Sequence, residues 1–117
     1  MSAVFDGSLD AVPAYMRGWI ELSGLATAVV LRIAGELDAA SCNAIEPAVM
    51  AAIAASAGVI LDLDELTFCD SRGVAMFVSI GEKAKAEGTD LTVRHLLPPV
   101  RSVFEITGLD RQIQLIE

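Results

Sequence analysis

Residues 58–74 read GVILDLDELTFCDSRGV. The first six are apolar except for Asp62, a nearly continuous run of the kind that strands carry when both faces of a parallel or mixed sheet are covered. At 68–74 the pattern changes, and FCDSRGV places an acid, a hydroxyl and a glycine between that strand and a second apolar run with helical spacing. A helix is predicted from about Ser71 to Glu87, with Gly88 just past its end, where glycine is favoured. Val74, Phe77, Val78, Gly81 and Ala84 are expected on the core side of this helix, and Met76, Ser79 and Lys83 on the opposite side. Asp70 or Ser71 caps its start, and Gly73 relieves crowding in its first turn.

Upstream, residues 27–34 (TAVVLRIA) put Val29, Leu31 and Ile33 on one face of a strand, and 19–23 (WIELS) form a shorter one. Residues 41–56 are alanine-rich, with Ile45, Val49, Ala52 and Ile53 spaced for one helical face and Ser41 as N-cap. Pro47 removes a backbone donor there, so the regular helix is expected to begin only near Glu46. Downstream, 91–96 (LTVRHL) alternates as a strand, Pro98 and Pro99 start a helix that runs to Gly108, and 113–116 form a last short strand. Strands alternating with helices imply βαβ units with right-handed crossovers. The expected fold is α/β, a single domain over 19–117 with a central mixed β-sheet of four to five strands and helices packed on it. Residues 1–18 are expected to be an arm or an edge strand.

A chain of 117 residues has room for one domain, and at 54% hydrophobic it can bury enough apolar surface to fold. Sixteen acids against eight bases leave a net charge of −8, a field that repels nucleic-acid phosphates and anionic lipid. Direct nucleic-acid binding is therefore not expected. Neither is a membrane span, because the longest uncharged stretch, 47–61, falls short of the ~20 residues one requires. The first ten residues lack the basic and apolar regions of a signal peptide, so a cytoplasmic protein is expected. Two cysteines without a Cys/His cluster predict no metal site.

Chemistry concentrates at Ser71. The hydrolase elbow is G-x-S-x-G, and here Cys69 replaces the first glycine in C-D-S-R-G. The only histidine, His95, is expected inside a strand as an ordinary half-buried residue, which leaves no triad. No P-loop and no dinucleotide glycine motif occurs, so neither catalysis nor a cofactor is expected. A hydroxyl at a helix start is exposed, faces backbone N–H groups and can carry a phosphate without breaking the fold. Another protein would have to bring that phosphate.

GELD at 35–38, VILDLDELTFCDSRGV at 59–74 and PPVRSVFEITGLD at 98–110 together resemble the STAS domain, most closely that of bacterial anti-sigma factor antagonists. The resemblance covers roughly residues 19–117. It implies a regulatory binding protein rather than an enzyme, with the serine of D-S-x-G, here Ser71, phosphorylated by a partner anti-sigma factor that is also an ATP-dependent serine kinase. The unphosphorylated form would bind that partner and free a sigma factor in a bacterial stress response, and a separate serine phosphatase would restore it. The expected partner-binding residues are Asp38, Asp70, Arg72, Gly73, Val74 and Met76, with Met76 an adaptable apolar contact on the outer helix face. Asp38 reads equally as a capping carboxylate. Many family members have Ser or Thr where this chain has Arg72, a permanent cation that would pair with a phosphate on Ser71, meet an acidic partner, or obstruct the kinase.

Cys42 and Cys69 begin one helix and precede the next, at the end of the sheet that carries Ser71. They read either as a redox pair or as two reduced cysteines packed as small apolar residues. The alternative to partner switching is a STAS-type scaffold or small-ligand sensor, with Arg72 holding an anion against the helix start.

Overall fold

The two long strands at the centre of the sheet carry most of its buried apolar residues. Strand β2 (Val29–Leu37) buries Val29, Leu31 and Ile33, and strand β3 (Gly58–Cys69) buries Val59, Leu61 and Leu63. Val29 lies opposite Val59 and Leu31 opposite Leu61. The computed structural model describes residues 20–24 and 29–116. These form one five-stranded sheet in the order β1 (Ile20–Gly24), β2, β3, β4 (Asp90–Arg94) and β5 (Gln114–Ile116). β1 runs antiparallel to β2, and the other four strands are parallel. This is the mixed α/β sheet the sequence predicts. The expected arm at 1–18 lies outside the described residues, as does Trp19.

Helices α1 (Ala39–Ala55), α2 (Ser71–Glu87), α3 (Pro98–Thr107) and the single turn α4 (Leu109–Gln112) supply the crossovers. One face of the sheet, the row Leu31, Leu61 and Val93, joins a single apolar cluster with Ile45, Val49 and Ile53 of α1 and with Met76, Phe77 and Ile80 of α2. Phe104 of α3 closes it, meeting Phe77 edge to face with ring centroids 4.9 Å apart at 64°.

Three local expectations change. Helix α1 begins at Ala39 rather than near Glu46, because Asp38 is its N-cap in a reciprocal capping box. Ser41 N–H donates to Asp38 Oδ1 at 3.0 Å and Asp38 N–H to Ser41 Oγ at 2.9 Å. Ser41 is thus the third helical residue and not the cap. Pro47 sits inside the helix, yet both it and Asn43 lie on the exposed side of α1, where water can replace the missing donor. Strand β3 runs on to Cys69 instead of ending near Leu63, since β2 continues beside it to Leu37 through register shifts that flank Ala34 and Gly35. Gly35, at φ 91°, supplies a backbone conformation that a side chain would disfavour.

His95 is the third. It is not a half-buried strand residue but an exposed one just past β4, at φ 62°. Its Nδ1 lies 3.2 Å from the Asp62 carboxylate. The row Arg32, Asp62 and Arg94 alternates with the core row and so occupies the opposite sheet face. Arg94 Nε donates to Asp62 Oδ2 at 2.9 Å, and Arg32 grips both oxygens of Asp64 at 3.0 and 3.2 Å. Burial pushes the Asp62 carboxyl up, but hydrogen bonds from Arg94, the Asp64 amide and His95 outweigh it and hold the group below the usual carboxylate range.

A carboxyl with a depressed folded pKa contributes stability that is complete above its unfolded value, ~3.9, and is lost as pH falls through the folded value. Asp62→Asn should therefore cost about 1–3 kcal/mol at pH 7. In urea denaturation the gap to the parent protein should narrow below about pH 4, and a gap that widens on acidification would contradict this origin.

Candidate functional site at the start of helix α2

The parallel pairing of β2 with β3 sets Leu37 opposite Cys69, so helices α1 and α2 start side by side at the same end of the sheet. Each start carries an acid cap, Asp38 for α1 and Asp70 for α2. Asp70 Oδ1 accepts from the Arg72 amide at 2.9 Å and the Gly73 amide at 3.0 Å. The Asp70 amide donates to Leu37 O at 3.0 Å, which ties the turn to the end of β2. Of the two caps the sequence allows, Asp70 is the one used. Ser71 is the first helical residue and is exposed.

Gly73 is buried in the first turn of α2 because the ends of β2 and β3 pass too close for a side chain. A Cβ there would lie 2.6 Å from Cys69 Sγ and 3.0 Å from Leu37 Cβ. Arg72 turns toward α1, where its Nη2 donates to Glu46 Oε1 at 2.8 Å and, more weakly, to Asn43 Oδ1 at 3.4 Å. The hydrogen bond to Glu46 raises the Arg72 pKa. Hydrogen bonds from the Ser41 amide and hydroxyl lower that of Asp38. The face around Ser71 therefore carries Asp38, Glu46 and Asp70 with one cation, Arg72, tied to Glu46.

A model of the family described as Mlab, STAS domain, matches residues 20–117. This chain belongs to the STAS domain family. Among solved structures, this STAS domain is similar to the anti-sigma factor antagonist SpoIIAA in its unphosphorylated form, at 27% identity and a TM-score of 0.70, over 84% of this chain and 88% of that one. It is also similar to the Bacillus cell fate determinant SpoIIAA in its phosphorylated form, at 26% identity and 0.65, over 84% and 91%. An anti-sigma factor antagonist from Mycobacterium paratuberculosis is similar at 26% identity and 0.73, over 82% of each chain.

The structure brings Asp38, Asp70, Ser71 and Arg72 of this STAS domain to one end of the sheet, and it removes two expected contact residues from the surface. Met76 is fully buried, not an outward apolar contact. The buried stripe of α2 is Gly73, Met76, Phe77, Ile80 and Ala84, which keeps helical spacing, whereas Val74 and Val78 sit at its margin, half-buried. Gly73 offers no contact outward, because its role is the close approach beneath it. Cys42 and Cys69 are free and buried, and burial pushes both thiols up, Cys69 to about 12. Both side chains pack in the apolar cluster, which fits the reading of two small apolar core residues.

Two residues escaped the sequence reading. Phe68 is 50% exposed at the end of β3, opposite exposed Glu36 and two residues before the cap. Its exposure follows from the extension of β3, which the apolar run at 58–63 does not announce. Glu46 is recognisable only once α1 and α2 lie together. Among the described residues, Asp62, Asp64 and His95 also bring ligand-type atoms within 4.8 Å of one another. Arg94 and Arg32 occupy those carboxylates, so a cation would face two guanidinium groups, and the cluster is an ion-pair network. No described helix is long and apolar enough to cross a membrane.

Gly73→Ala should destabilise the domain by about 1–3 kcal/mol, since the added methyl overpacks the site. Adding Cys69→Ala removes the nearer clash and should recover part of that loss in urea denaturation. Equal stability of Gly73→Ala and the parent would contradict the close approach.

Proposed function

We propose that this STAS domain is an anti-sigma factor antagonist whose docking is switched by phosphorylation of Ser71. The observation that carries the reading is the exposure of Ser71 at the first residue of α2, with the cap made by Asp70 instead, so its hydroxyl is spare. The likeness to SpoIIAA, solved in unphosphorylated and phosphorylated forms, supports the same reading. The partner is an anti-sigma factor with serine kinase activity, the released protein is a sigma factor, and a serine phosphatase resets the switch. In the kinase step Ser71 Oγ forms a bond to the γ-phosphorus of ATP as the bond to the ADP oxygen breaks, and the hydroxyl proton passes to a base of the kinase. Docking takes place around Asp38, Asp70, Ser71 and Arg72, with half-exposed Phe68 as the apolar contact in place of Met76. Occupation of the Arg72 and Gly73 amides by Asp70 disfavours the alternative of a free anion pocket at the helix start.

One added negative charge about 4 Å from a partner carboxylate costs roughly 4 kcal/mol at an effective dielectric near 20, close to a thousandfold in affinity. Incubation with an anti-sigma factor kinase of the same genome and ATP should place phosphate on Ser71 by peptide mass spectrometry. Ser71→Asp should weaken binding of that kinase by up to about a thousandfold, while Ser71→Ala still binds. Phosphate on another residue, or undiminished binding by Ser71→Asp, would refute the reading.

A further inference from the structure

A phosphate on Ser71 gains from a counter-charge, and the first turn of α2 has two of its amides already taken. The two amides that would face it already bond to Asp70 Oδ1, and the Asp70 carboxylate adds a negative charge beside it. Arg72, the next residue, has donors to spare. Its Nη2 serves Glu46 and Asn43, while its Nε and Nη1 have no hydrogen-bond partner within the described chain. The Arg72 side chain is 35% exposed and that of Glu46 20%, so the pair lies at the surface, where its partners can exchange.

We propose that Arg72 is an exchangeable charge that ties α2 to Glu46 on α1 in the unmodified protein and turns to the phosphate when Ser71 is modified, releasing Glu46. The proposal rests on Ser71 being the modified residue. The exchange is favoured because phosphoserine carries about −1.5 to −2 charges against one on Glu46. Its three oxygens also match the guanidinium fork, of which Glu46 uses a single nitrogen. Modification then does two things at once. It adds a phosphate to the docking face, and it strips Glu46 of its cation. A partner with acidic groups at this face meets an uncompensated Glu46 carboxylate beside Asp38 and Asp70. A partner that relies on α1 and α2 being tied at this end loses the tie.

The test installs phosphoserine at position 71 during translation, so that no kinase is needed, and follows the phosphate by phosphorus NMR through a pH titration. The second pKa of the phosphate, about 6 when free, should lie lower in the parent sequence than in Arg72→Gln by about 0.5–1 pH unit. Glu46→Gln, which removes the competitor, should lower it further. The Nε resonance of Arg72 should also move between the serine and phosphoserine proteins, a readout that needs no substitution. A phosphate pKa indifferent to Arg72→Gln, or an Arg72 Nε resonance that ignores the phosphate, would overturn the exchange. Either result leaves kinase phosphorylation and partner release to be judged by their own assay, so the two readings fail separately.

Discussion

There is no room for a side chain at position 73, and the geometry of the site follows from that. The backbone of α2 passes so close to Cys69 and Leu37 that a Cβ would sit 2.6 and 3.0 Å from their side chains. The approach seats the first turn of α2 on the ends of β2 and β3, and the Asp70 amide locks it there through Leu37 O at 3.0 Å. With Asp70 turned inward to cap the helix, its neighbour Ser71 is left exposed on a rigid support. Ser71 is exposed and stands outside the buried cluster, so a bulky charged group on it need not enter the core.

The same end of the sheet brings three acids together, Asp38, Glu46 and Asp70. Leu37 and Cys69 are opposite one another, so the caps that follow them, Asp38 and Asp70, become neighbours. Anions at two adjacent helix starts are each favoured by the local dipole, and the Arg72 to Glu46 pair joins the two helices across them. The far face of the sheet is built differently. There Arg32, Asp62, Asp64, Arg94 and His95 satisfy one another in a network that supports the fold and leaves no free carboxylate for a ligand. Charge on that face supports the fold, whereas at the strand ends Asp38 and Asp70 cap the two helices and Arg72 links them through Glu46.

Much of this was legible in the residues. Alternation in 27–34, the apolar run at 58–63 and the change of period at 68–74 announced the α/β order, the STAS resemblance and the exposed serine between strand and helix. What escaped has physical causes. Met76 lies on the buried side of α2, not the outer one, because several apolar residues crowd its first turns and only packing in the core selects the stripe through Gly73, Met76 and Ile80, with Val74 at its margin. Pro47 outweighed the Asp38 and Ser41 capping box in a local reading, although the box closes the turn well before the proline. Bulges around Ala34 and Gly35 lengthened β3 and exposed Phe68. The bond from Arg72 to Glu46 spans elements far apart in sequence, which local pattern cannot reveal.

The central claim is that the turn at Gly73 buries Cys69 and leaves position 71 in solvent, and thiol reactivity measures both halves together. In native Ser71→Cys protein, a water-soluble maleimide should label one thiol at close to the rate of a free cysteine, while Cys42 and Cys69 react only when the domain unfolds. A fast-reacting thiol in the native parent protein, or a cysteine at 71 as slow as the buried pair, would contradict the account.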